Sequence, residues 1–125
     1  MNRLKRLEDM GVWQSSRRLV RRIYSVSQSR SFAKDHGLAD QIRRASISVV
    51  SNIAEGFDSQ SNPSFCRYLA SARGSAAEVR AQLYVALDLG YISESDFNYL
   101  VAECESISRQ LTGFINYLRK TARRC

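Results

Sequence analysis

The sequence predicts an all-α protein, an antiparallel up-down-up-down four-helix bundle. Apolar residues recur at helical spacing in four long stretches, and no strand-like alternation is present. One proline and six glycines are too few turn residues for an all-β fold. Serine, asparagine, proline and glycine fall at the borders of the stretches, where helices start and stop.

The first helix is expected from Asp9 to Gln28. Met10, Trp13, Leu19, Val20, Ile23, Tyr24 and Val26 form its apolar arc, and Arg17, Arg18, Arg21 and Arg22 occupy the opposite side. Ser25 to Ser31 breaks the pattern as a polar linker. The second helix is expected from Gly37 to Gly56, with Gly56 as a left-handed C-cap. Its core stripe is Leu38, Ile42, Ala45, Val49 and Ile53, while Arg44, Ser48, Ser51 and Glu55 share the polar side. Ile47, Val50 and Ala54 widen the apolar arc beyond one core face, which points to more than one neighbour.

Asn62-Pro63 marks the third helix, with asparagine as N-cap and proline at the first helical position. Phe65, Leu69, Ala72, Ala76, Val79, Leu83 and Leu87 hold its core face until Gly90. Behind that face runs a second strip of Cys66, Ala70, Ala77, Ala81 and Tyr84. Glycine inside a helix costs about 1 kcal/mol relative to alanine, so Gly74 is expected to admit the close approach of another backbone. The two apolar strips, Ile47-Val50-Ala54 and Cys66 to Tyr84, are the candidate subunit interface of a homo-oligomer. The fourth helix opens at Ser93, with acids Glu94 and Asp96 near its positive end. Phe97, Leu100, Val101, Cys104, Ile107, Leu111, Phe114, Ile115 and Leu118 form its core stripe.

Four amphipathic helices with short links make an up-down bundle the default. Residues 1–125 are then a single domain with short basic terminal segments, large enough to bury roughly two-thirds of its unfolded surface. Both chain ends fall at one end of such a bundle, bringing the basic segments 1–6 and 119–124 together. If the second and third helices turn near Ser59-Gln60, Arg44 lies close to Ser75 and within about one turn of Glu78. An Arg44–Glu78 ion pair and two independently solvated side chains both fit that register.

The net charge of +7 is unevenly placed. Residues 1–30 carry eight basic and two acidic side chains, and residues 109–125 carry five basic and none acidic. Residues 31–108 carry six basic and ten acidic. A basic surface attracts polyanions through counterion release, or is simply a solvated face. Candidate phosphate contacts are Arg17, Arg18, Arg21 and Arg22 on the first helix, and Arg119, Lys120, Arg123 and Arg124 at the end of the chain.

Other chemistry has little support. Cys66, Cys104 and Cys125 are odd in number and lack a C-x-x-C pair, reading as two core thiols and one exposed terminal thiol. His36 is the lone histidine. There is no Gly-rich phosphate loop, metal-ligand cluster or nucleophile–histidine pairing, so no catalytic residue, cofactor or metal is expected. No apolar run approaches the ~18 residues of a membrane span, and the basic start of the chain lacks the apolar segment of a signal peptide. A cytoplasmic protein is expected.

Two blocks of sequence are more specific. Gln41-Ile42-Arg43-Arg44-Ala45 followed by Ser51-Asn52-Ile53-Ala54-Glu55-Gly56 resembles the hallmark of a bacterial four-helix-bundle family whose genes were first noticed in intervening sequences of 23S ribosomal RNA genes. Ala72-Arg73-Gly74-Ser75 with Glu78 matches its second block, and Trp13 and Leu89-Gly90-Tyr91-Ile92 also fit. That family is similar to the accessory variability determinant protein of diversity-generating retroelements, a basic homopentamer that binds nucleic acid and partners a reverse transcriptase. The resemblance implies an assembled bundle, with a pentamer favoured, and RNA or DNA as ligand. It brings no catalytic residue. Two function classes remain: a basic scaffold that binds nucleic acid through phosphates, and an assembly module for a protein partner such as a reverse transcriptase.

Overall fold

A computed structural model describes residues 5–122 and is all-helical across them. A 3-10 turn at Leu7–Asp9 leads into α1 (Gly11–Val26), α2 (Arg30–Lys34), α3 (His36–Phe57), α4 (Asn62–Asp88) and α5 (Glu94–Ala122). The four long helices answer to the four predicted ones, and α2 is additional. Helix α1 packs on α3 and α5, and α4 packs on the same two. The long helices therefore close a ring, with α1 and α4 facing each other across the core.

That core is the set of predicted stripes turned inward. Leu19, Ile23, Ile42, Val49, Ile53 and Leu69 are wholly buried, as are Leu83 and Leu111 on the other side. Each such side chain contributes about 1.5–3 kcal/mol through burial. Contacts between α4 and α5 show how they run. Arg73 donates to the Thr112 hydroxyl at 3.0 Å, and Arg80 lies 3.8 Å from Glu105. Seven residues forward on α4 match seven back on α5, so the two are antiparallel. Ser75 bonds the Ser48 hydroxyl at 2.9 Å, in the register expected for a turn near Ser59-Gln60.

The glycines divide their roles differently from the expectation. Gly56 is not a left-handed cap: it lies inside α3, and the positive-φ glycine among the described residues is Gly90, at φ 76° in the turn before α5. A Cβ at Gly56 would stand 2.9 Å from both Phe65 Cδ1 and Tyr68 Cβ. The absent side chain is what lets α4 approach α3 there. Gly74, expected to serve close approach, has no atom within 4 Å of a would-be Cβ inside the subunit.

The linker predicted from Ser25 to Ser31 is also more structured than its composition suggests. Ser27 is buried; it donates to the Ile23 carbonyl and accepts from Arg43 Nε, each at 2.7 Å. Phe32 on α2 is completely buried and stacks on Tyr91 with ring centroids 5.3 Å apart. The Tyr91 hydroxyl donates to Asp35 at 2.9 Å, while the other Asp35 oxygen accepts from the Leu38 amide and caps α3. One carboxylate thus ties the α1–α3 connection to the α4–α5 turn, and its hydrogen bond raises the Tyr91 pKa above the ordinary phenol value. At α4 the cap is Ser61, whose hydroxyl accepts from the Ser64 amide, one residue before the expected asparagine. Ser93 caps α5 through the Asp96 amide, as predicted.

Candidate nucleic-acid interface

Helical spacing places Arg17, Arg18, Arg21 and Arg22 on the outer side of α1, all exposed, opposite the buried Val12, Ser16, Leu19 and Ile23. Three of the four are held in place by neighbours. Arg17 donates to the side-chain amide oxygen of Gln14 at 3.1 Å and lies 5.2 Å from the Trp13 ring centroid. Arg18 donates to the Ser15 hydroxyl at 3.1 Å. Arg22 stacks 4.3 Å over the ring of Tyr99, which carries the basic arc across to α5. Cation–π contact of this kind limits side-chain motion while leaving guanidinium N–H groups free to donate.

The Tyr99 side chain hydrogen-bonds Glu103. That bond, with burial and the Glu103 charge, raises the Tyr99 pKa, against the opposing pull of Arg22 and Arg18. Tyr99 was missed by sequence reasoning. Its position gives an exposed tyrosine beside a core stripe, and only packing of α1 on α5 brings it beneath an arginine.

The second basic group lies elsewhere. Arg119 and Lys120 are exposed in the last turn of α5. Tyr99 and Arg119 are on one helix, so at 1.5 Å per residue Arg119 lies roughly 30 Å from the arginine arc. Arg123, Arg124 and Cys125 lie outside the described residues, as does most of the basic amino-terminal segment.

The predicted interface residues divide. Ala70, Ala77, Ala81 and Tyr84 are exposed on α4, and Ile47 is exposed on α3. Val50 and Ala54 are half-buried. Cys66 does not belong to the outer strip: at 6% exposure it is buried in the subunit's own core, as its reading as a core residue expects. Its helical position, three residues before the wholly buried Leu69, puts it on the inward side of α4. Cys104 is a free buried thiol, and burial, aided by Glu103, pushes its pKa up to about 12.

Arg44 and Glu78 line one groove of about 370 Å³ between α3 and α4, with Gln41, Ala45 and Ser48. Glu78 accepts from Gln82 on its own helix at 3.3 Å. Among the described residues no group of three or more His, Cys, Asp or Glu converges as a metal site would require. No helix among them is long and apolar enough to cross a membrane.

Comparison with known proteins places this geometry. A solved structure of a protein of unknown function from the S23 ribosomal protein family of Bacteroides thetaiotaomicron VPI-5482 superposes with a TM-score of 0.76. It is 24% identical, and the match covers 83% of this chain and 97% of that one, which supports the shared fold. No curated protein matches. Residues 8–113 match the family described as 23S rRNA-intervening sequence protein, so the all-helical bundle with its two sequence blocks belongs to that family.

Proposed function

We propose that this protein is a non-catalytic, oligomeric scaffold that binds RNA or DNA through phosphate contacts made by α1. The observation that carries the reading is an uncompensated charge. Four exposed arginines share the outer side of α1, and among the described residues none pairs with a carboxylate. Planar guanidinium groups suit bidentate phosphate contact, and assembly multiplies such a surface. A family named for 23S rRNA suits a nucleic-acid partner and a cytoplasmic site of action. Nothing in the arc resembles a base-reading module, so binding is backbone-driven and salt-sensitive.

The test is binding of a generic RNA and a generic duplex DNA across a salt series, for wild type and for Arg17/Arg18/Arg22→Gln. These side chains lie outside the core, so the variant keeps its helicity and its mass in solution. Each lost phosphate contact lowers the slope of log affinity against log salt by about 0.9 on duplex DNA. Three contacts therefore remove nearly three units of slope. A folded variant with unchanged affinity and slope would refute the α1 site. Absence of wild-type binding even at low salt would refute nucleic-acid binding and favour a protein partner.

A further inference from the structure

The fold sets a large aromatic ring, Tyr99, within the arginine arc. It lies near the start of α5, 45% exposed, with the Arg22 guanidinium 4.3 Å from its ring centroid. Phe97 and Leu100, close by on the same helix, are buried, so Tyr99 is the side chain of this turn that faces out. Its ring is also held in place, because the hydroxyl is hydrogen-bonded to Glu103 one helical turn further on. Arg18 acts on the same hydroxyl through its charge, so two guanidinium groups one turn apart on α1 flank the ring. A second pairing of this kind stands nearer the start of α1, where Arg17 lies 5.2 Å from the ring of half-buried Trp13. Phosphate contact alone uses none of this. Exposed arginines reach phosphates without an aromatic beneath them, and a ring left in water forfeits the gain of burial.

We propose that the Arg22–Tyr99 pair is a stacking platform for an unpaired base, so that the nucleic acid taken by α1 is single-stranded. This deepens the phosphate-binding reading above and rests on it. A duplex keeps its bases stacked on one another and offers the arc only its phosphates. A single strand offers phosphates and free base faces together, and such bases stack on aromatic rings and on arginine planes. Here the base lies on the outer side of the Arg22–Tyr99 pair, while Arg18 and Arg21 take the flanking phosphates. Arg18 and Arg22 are roughly 6 Å apart along α1, so one patch reaches a base and the phosphate beside it. The acids within one turn of the ring, Asp96 and Glu103, are on α5. Charge therefore draws the phosphates to the α1 side and leaves the ring to the base. Stacking is indifferent to base identity, since every base has a π-face, so the site stays without sequence preference.

The test compares binding of the full chain to oligothymidylate and to an abasic strand of the same length, with a duplex as competitor. Wild type should bind oligothymidylate about fivefold to 150-fold tighter than the abasic strand, which is the worth of one stacked base. Duplex at equal phosphate concentration should fail to displace the oligothymidylate. In Tyr99→Leu the two strands should bind equally, because the ring is gone, whereas Tyr99→Phe should keep the wild-type ratio. Arg22→Lys keeps the charge but loses the guanidinium plane, and should lower the ratio too. Phosphate contact is common to both strands and cancels in that ratio, and a merely structural role for Tyr99 would weaken both strands alike. Helicity of each variant is checked by circular dichroism, and if Tyr99→Leu loses it, Arg22→Lys decides. Equal binding of the two strands by wild type, a wild-type ratio in folded Tyr99→Leu or in Arg22→Lys, or full displacement by duplex would overturn the platform and leave phosphate binding standing. No binding of any of these probes even at low salt would overturn the phosphate reading as well.

Discussion

Gly56→Ala and Gly74→Ala are the same chemical change in two helix interiors, and the structure assigns them opposite signs. Alanine in a helix is favoured over glycine by about 1 kcal/mol. At Gly74 nothing lies within 4 Å of the added methyl group, so the gain is kept and stability rises by about 1 kcal/mol. At Gly56 the methyl would stand 2.9 Å from Phe65 Cδ1 and from Tyr68 Cβ. A phenylalanine ring can rotate aside, but Tyr68 Cβ is fixed to its backbone, so α3 and α4 must separate. Overpacking of this kind costs about 1–3 kcal/mol. Set against the propensity gain, Gly56→Ala should be neutral to destabilising by about 2 kcal/mol. Urea denaturation at matched protein concentration measures both, with the slope of the transition checked for constancy. Equal stabilisation by the two substitutions would refute the tight α3–α4 crossing at Gly56. Destabilisation by Gly74→Ala accompanied by a change in assembled mass would place a subunit contact at Gly74.

Leu83→Ala, at a wholly buried site on α4, should cost about 2–5 kcal/mol through lost burial and the cavity left behind, as read by chemical denaturation. Cys104 should resist alkylation in the folded protein at pH 8 and react on unfolding, followed by peptide mass spectrometry at that residue. Its folded pKa, near 12, lies above the ordinary 9.0, so the neutral thiol is the form the fold stabilises. That contribution is full below pH 9, fades between about 9 and 12, and should be absent from the alkaline unfolding profile of Cys104→Ala.

Much of the fold was legible in the sequence because helical periodicity is a local signal. The stripes through Leu19 and Ile23, through Ile42 and Ile53, and through Leu83 and Leu111 name the core side of each helix without reference to any other. The caps at Ser93 and near Asn62 are equally local, since a hydroxyl reaches an amide only three residues away. The exposure of the α1 arginines follows from the same spacing. What sequence could not supply is whatever depends on a second helix. Helix α2 is five residues long, too short to show a period, and its burial depends on Tyr91, which stacks on Phe32 from far along the chain. Tyr99 becomes part of the basic surface only where α1 crosses α5.

The two glycines state the division most sharply. Composition marks both as small residues within or beside helices, and local rules made Gly56 a cap and Gly74 a contact. The structure puts the tight contact at Gly56 and leaves Gly74 open within the subunit, because a glycine's role is decided by what stands opposite its missing side chain: the Phe65 and Tyr68 side chains at Gly56, open space at Gly74. Sequence alone determined which residues turn inward, since that is set by 3.6 residues per turn. Tertiary structure decided which inward faces touch, and which charged and apolar surfaces remain uncovered for a partner, because those depend on distances between helices that no local pattern encodes.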